Sequence, residues 1–203
     1  MTLEVVNIKR QSIIEGATRM FLQYGFNASS MDKIAQAAPV SKATLYKYFD
    51  SKDALLAAVI ENLCLNLFQV VDEASTENES IENTLKKIAS AFVELIFSDD
   101  ALGIYRLVVA ECRDFPQLGQ LVYDSAPNIV NTQLIAYLDA LNQRDEVTVL
   151  NINFAADAFI SLLKGELHFQ CLLGIRAIPT SEEKKAHVEQ VVKLFMQGFV
   201  HVH

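Results

Sequence analysis

"SKATLYKYFDSKDALL", residues 41–56, gathers three lysines and two tyrosines into one helical-looking run, although the 203-residue chain carries a formal net charge of −8. On a helical wheel that starts at Leu45, Phe49 shares its direction, Ala43, Thr44 and Lys47 point the opposite way, and Tyr46 and Tyr48 lie on the flanks. One side is therefore a core face. The other side has no acid before Asp50, whereas a solvated helix face ordinarily mixes Glu with Lys. Lysine suits phosphate, Ser and Thr suit phosphate or base edges, and Tyr hydroxyls suit a nucleic-acid backbone.

The charge around this run is segregated in the same sense. Residues 1–52 hold seven Lys and Arg against four Asp and Glu, which leaves ten bases against twenty-one acids in the remainder. A basic head on an acidic body suits a protein whose head meets a polyanion, and ordinary surface variation is the competing explanation. Helix signals divide the head. Ile13, Ala17, Met20, Phe21 and Tyr24 form one apolar stripe, with Gly25 placed as a left-handed C-cap. Ser29, with Asp32 three residues on, predicts the N-cap of a short second helix whose narrow apolar face is Ile34, Ala35 and Ala38. Pro39 stops it, Ser41 caps a third helix running to about Phe49, and Asp50 or Ser51 caps a fourth that continues towards Val71. Two short helices joined by a tight turn and packed on a longer one make a helix-turn-helix, whose second helix enters the major groove.

Residues 13–59, from "IIEGATRMFLQYGFNASSMDKIAQAA" through "VSKATLYKYFDSKDALLAAV", resemble the tetracycline-repressor (TetR) family of bacterial regulators, and "KATLYKYF" followed by "SK" is the specific part. The resemblance implies an all-α protein of about nine helices. Residues 1–52 are then a DNA-binding domain, and 53–203 a larger helical ligand-binding and dimerisation domain. It implies further that Ser30 and Lys33 approach the DNA backbone and that Ser41, Lys42, Ala43, Thr44, Tyr46, Lys47 and Tyr48 form the recognition element. Ala43 and Thr44 are then the base readers, and Lys52 clamps a phosphate. The family usually has Gly where this chain has Pro39, in a turn that often needs positive φ. A proline there predicts a turn closed differently, and leaves an adaptor without operator binding as the rival to a repressor.

The body also reads as helices. Ser80 caps an amphipathic helix carrying Ile81, Leu85, Ile88, Ala89, Phe92, Leu95 and Ile96, after the polar loop "EASTENE". "ALGIYRLVVAEC" is apolar almost all round and reads as the buried centre of the body, with Arg106 and Glu111 as a structural ion pair. Pro116 and Pro127 mark two further first turns, and "YRLVVAECRDFPQLGQL" is similar to the AefR-like branch of the family. Two long final helices follow, the first ended by Gly174 and the second opened by a capping box at Thr180 and Glu183. The family pairs such helices as a four-helix interface, here 154–174 and 181–200 of a homodimer. Phe195 and Phe199 are the expected interface residues.

Four histidines make neither a metal-ligand spacing nor a triad, and no glycine-rich phosphate loop is present, so no catalytic residue, metal or cofactor is expected. His168 reads as a satisfied buried residue, and His201 and His203 as a frayed terminus. Cys64, Cys112 and Cys171, without a CxxC pair, read as reduced thiols. With no signal peptide and no uncharged apolar stretch near membrane-spanning length, a soluble cytoplasmic protein is expected. The partners expected are a double-stranded operator, a second copy and an unidentified, largely apolar effector. Phe68, Phe92, Phe97, Tyr105, Phe115, Tyr123 and Phe159 could surround that effector or simply fill space, and Glu111 or Tyr123 could orient it.

Overall fold

The structure is a computed structural model that describes residues 3–74, 79–143, 147–149 and 151–202. Ten helices lie among the described residues: α1 (Leu3–Ala28), α2 (Met31–Ala37), α3 (Lys42–Tyr48), α4 (Lys52–Ala74), α5 (Ile81–Ile96), α6 (Asp99–Glu111), α7 (Pro116–Ser125), α8 (Pro127–Gln143), α9 (Ile152–Leu172) and α10 (Ser181–Phe199). The all-α architecture expected from the sequence is present. Two short strands accompany it, β1 (Val147–Val149) and β2 (Val200–Val202), paired antiparallel with Thr148 opposite His201. His201 therefore belongs to a strand and not to a frayed end. Its neighbour Val200 is buried together with Val147 and Val149, and burial of this apolar set holds the segment down. His203 and most of the loop expected at 73–79 lie outside the described residues.

The chain divides into two compact units, Met1–Leu63 with Gly103–Ala126, and Cys64–Leu102 with Pro127–His203. In the first, α1 packs on α2 and α2 on α3. Ile13, Ile14, Ala17 and Phe21 of α1 are buried, as are Ile34, Leu45, Leu55 and Leu56, while Tyr24, expected on the same stripe, is 51% exposed. Helix α1 breaks at Gly25, where φ is 81°. A side chain at this glycine would be strained. Within α6 the expectation of a buried helix fails. Leu102, Ile104, Leu107 and Val108 are buried, but Tyr105 and Val109 are 49% and 60% exposed, so its apolar residues line both faces.

In the second unit, α5 packs against α10 and α9, and α8 packs against α9 and β1. Ser80 accepts from the Asn83 amide as the N-cap of α5, and Leu85, Ile88, Ala89 and Phe92 are its buried stripe. Pro116 and Pro127 open α7 and α8. Asn142 ties α8 to β1 through both amide atoms, donating to the Val149 carbonyl at 3.1 Å and accepting from the Val149 amide at 2.9 Å. Phe159 and Phe195 pack edge to face with centroids 4.8 Å apart, and Phe195 stacks on Phe199 at 5.2 Å. Phe195 is fully buried inside the protomer, contrary to its expected place at an interface, because Val188, Val191, Val192 and Phe195 all lie on the inward stripe of α10. His168 is buried edge-on to Phe97 at 5.6 Å. Burial lowers its pKa, as does the neighbouring Lys164 charge, against a backbone hydrogen bond at Ile96.

Candidate nucleic-acid interface

Two short helices cannot hold their geometry alone, and the head braces them at every terminus. Ser30, one residue later than the sequence predicts, caps α2 by accepting from the Lys33 amide. Ser29 is instead fully buried and donates to the carbonyls of Gly25 at 2.7 Å and Met20 at 3.0 Å. The break at Gly25 brings that carbonyl within reach of Ser29 and leaves the cap to its neighbour. At the other end of α2, helix α1 supplies donors to free carbonyls, Ser12 to Ala38 at 3.1 Å and Arg19 to Ala37 at 2.9 Å.

The turn between α2 and α3 does not close in the way the proline predicts. Pro39 stands at φ 22°, far outside the range near about −65° that its ring favours. The turn thus keeps the positive φ of a glycine-type C-cap despite the proline. Val40 donates to the Ala35 carbonyl at 3.0 Å, the longer bond of a Schellman motif. The shorter bond has no donor, because proline lacks an N–H. The end of α9 shows the complete motif for comparison: Gly174 at φ 71° donates to Cys171, and Ile175 donates to Gln170.

Ser41 then caps α3, accepting from the Thr44 amide at 3.1 Å, with its hydroxyl 2.8 Å from that of Thr44. Leu45 is fully buried and Phe49 nearly so, with the Arg10 guanidinium 5.4 Å from the Phe49 ring centre. These two anchors leave Ala43, Tyr46 and Lys47 exposed and Thr44 half-buried on the outward face. Lys47 makes no hydrogen bond or ion pair among the described residues. Lys42 is exposed and bridges to Asp32 of α2 at 2.7 Å, and this hydrogen bond raises its pKa. Lys33 donates to the Ala28 carbonyl at 3.1 Å. Tyr48 is half-buried, and its hydroxyl is enclosed without a hydrogen-bond partner among the described residues.

Lys52, at the start of α4, points into the fold. Its ammonium donates to the Phe26 carbonyl at 2.7 Å, lies 3.4 Å from the Asn27 carbonyl, and sits 4.2 Å from the Phe26 ring centre. Burial lowers its pKa, against the raising effect of Glu111. Glu111, expected to pair with Arg106, instead accepts from the amides of Phe26 at 2.7 Å and Asn27 at 2.9 Å. Both of its oxygens are therefore occupied, and it is no longer a free tether for an effector. Nothing local in the sequence marks this contact, which spans 85 residues between Phe26 and Glu111. The hints are a glycine at position 25 and a carboxylate that directly follows the apolar run 107–110 of α6.

The remaining candidates spread out. Phe92, Phe97 and Phe159 are buried in the core of the second unit, Phe115 stacks edge-on against Phe26 at 6.3 Å in the first, and Tyr105 and Tyr123 are about half exposed. A groove of about 550 Å³ lies between α4 and α5, bordered by Asn66, Val70, Lys87 and Glu94. Among the described residues no group of three His, Cys, Asp or Glu is arranged to hold a metal ion.

Comparison with known proteins agrees with this geometry. Residues 13–59 match the family model described as bacterial regulatory proteins, tetR family, and residues 83–199 match that of the AefR-like transcriptional repressor C-terminal domain. A TetR-family transcriptional regulator from Mesorhizobium loti MAFF303099 superposes with a TM-score of 0.80 over 100% of both chains at 22% identity. The flavonoid-responsive regulator FrrA is 30% identical, covers 95% of this chain and 97% of its own, and has a TM-score of 0.71. The HTH-type transcriptional regulator YvkB of Bacillus subtilis (strain 168) is 24% identical across 92% of this chain and 94% of its own. With both models matched and the second alone spanning more than half of the sequence, the chain belongs to the TetR family of transcriptional regulators and carries an AefR-like C-terminal domain.

Proposed function

We propose that this chain is a cytoplasmic, effector-responsive repressor that binds a palindromic operator as a homodimer. The observation that carries the reading is the division of α3. Leu45 and Phe49 bury one side while Ala43, Thr44, Tyr46 and Lys47 are left on the other, free of acids. In this reading Ala43 and Thr44 meet base edges, and Lys47, Tyr46, Lys42 and Lys33 meet phosphates. The hydroxyls of Ser30 and Ser41 already cap helices and reach the backbone only as exposed edges of those caps. Tyr48 acts through packing unless its enclosed hydroxyl turns outward. Exposed Phe154, Phe169 and Leu173, within residues 154–174, and Leu194, within 181–200, supply an unpaired apolar surface for the second copy. A largely apolar effector accords with the aromatic-rich body and with the flavonoid-responsive relative at 30% identity.

The test is a mobility-shift titration on the chain's own upstream DNA. Lys47→Ala should weaken every duplex alike and flatten the slope of log K against log salt by about 0.9, the share of one neutralised phosphate, whereas Thr44→Ala should relax sequence discrimination. Binding that ignores salt would replace the operator reading with that of an adaptor.

A further inference from the structure

Phe26 and Asn27, at the corner between α1 and α2, are held from two sides by opposite charges. Their amides donate to the two oxygens of Glu111 at 2.7 and 2.9 Å. Their carbonyls lie 2.7 and 3.4 Å from the Lys52 ammonium. The backbone of the same two residues is thus gripped by a carboxylate from the end of α6 and by an ammonium from the start of α4. The grip is built to fit. A Cβ at Gly25 would stand 2.7 Å from the Glu111 oxygen, at a φ of 81° that side chains avoid. The Phe26 ring closes the site, with the ammonium at 4.2 Å on its face and Phe115 and Phe21 packed at 6.3 and 5.6 Å. Ser29 locks the same corner through the Gly25 carbonyl at 2.7 Å.

This corner leads straight into α2, so its orientation determines where α2 and α3 point. We propose that Glu111 and Lys52 are positioning residues for DNA recognition, aligning the helix-turn-helix through the Phe26–Asn27 backbone, and that Lys52 does not contact phosphate. The proposal rests on the DNA-binding reading of α3 but reassigns one residue of it. It also has a sign that electrostatics alone would reverse. Removing an acid near a DNA-binding face strengthens binding if only charge matters, and weakens it if the acid holds the face in position.

The experiment compares Lys52→Met, Lys52→Arg, Glu111→Gln and Lys47→Ala by fluorescence anisotropy. The probes are a labelled duplex from the chain's own upstream region and an unrelated duplex of equal length, each over a salt series. Glu111→Gln and Lys52→Met should lose upstream affinity by on the order of tenfold, the equivalent of one charged hydrogen bond, with an unchanged salt slope. Lys52→Arg, which can still donate to the Phe26 carbonyl and stack on its ring, should restore most of the loss. The double variant Lys52→Met with Glu111→Gln should lose less than the product of the singles. A drop of about 0.9 in the salt slope for Lys52→Met would overturn the proposal and return Lys52 to the phosphates. Tighter binding by Glu111→Gln would overturn it as well. Wild-type binding that ignores salt and does not prefer the upstream duplex would instead refute the DNA reading itself, so the two failures are distinguishable.

Discussion

At the scale of single residues, Pro39 is where this chain is most at odds with its own backbone. Its φ of 22° belongs to glycine, and its missing N–H leaves one bond of the α2 cap unmade, while Val40 still closes the longer one. A glycine adopts positive φ freely and would supply the missing N–H, whereas proline stabilises by about 0.4–1 kcal/mol through stiffening the unfolded chain. Pro39→Gly should therefore stabilise the protein by about 1 kcal/mol and raise the Tm of the whole chain by roughly 2–4 °C in calorimetry. A lower Tm would mean that the stiffening outweighs these two gains. The turn was legible only in part. A proline after "AQAA" marks a helix end, but which φ it adopts depends on donors from Ser12 and Arg19, residues of α1 that hold the α2 carbonyls in place.

At the scale of elements, caps and stripes were the most readable features because their causes lie within four residues of each other. Helix α10 carries the capping box predicted at Thr180 and Glu183, with the Thr180 hydroxyl accepting from the Glu183 amide at 3.2 Å and the Glu183 carboxylate accepting from the Thr180 amide at 2.8 Å. Thr180→Ala should cost about 1 kcal/mol of stability, read from chemical denaturation. That backbone hydrogen bond is the main reason the Glu183 carboxyl lies below its ordinary pKa, with Arg176 adding to it. A depressed acid stabilises the fold above its unfolded pKa and loses that contribution as pH falls through its folded value. The difference between wild type and Glu183→Gln should therefore be present at neutral pH, begin to shrink below about pH 4, where the unfolded carboxyl takes up its proton, and vanish as pH falls past the lower pKa of the folded carboxyl. A gap that does not shrink as pH is lowered from about 7 to about 2 would assign the effect to packing. The α2 cap shows the limit of such local reading. Ser29 and Ser30 both match a cap, and only the buried bonds of Ser29 to Met20 and Gly25 decide between them.

At the scale of the whole molecule, the homodimer proposed above would meet through the exposed surface of α9 and α10. Phe195 looks inward, so Phe195→Glu should unfold the protomer, whereas Phe169→Glu with Leu194→Glu alters side chains that are 55% and 54% exposed and should give folded monomers in sedimentation. A dimer that survives the exposed pair would remove this face from assembly. The sequence by itself determined the all-α class, the helix-turn-helix and the positions of most helices, because periodicity, caps and proline placement act over one or two turns. Only the tertiary structure decided that α6 is half exposed, that Phe195 faces the core, that His201 joins a strand, and that Glu111 and Lys52 grip the Phe26–Asn27 backbone. Each of these depends on which distant surface a residue meets, and a pairing across 85 positions leaves no periodic trace in the chain.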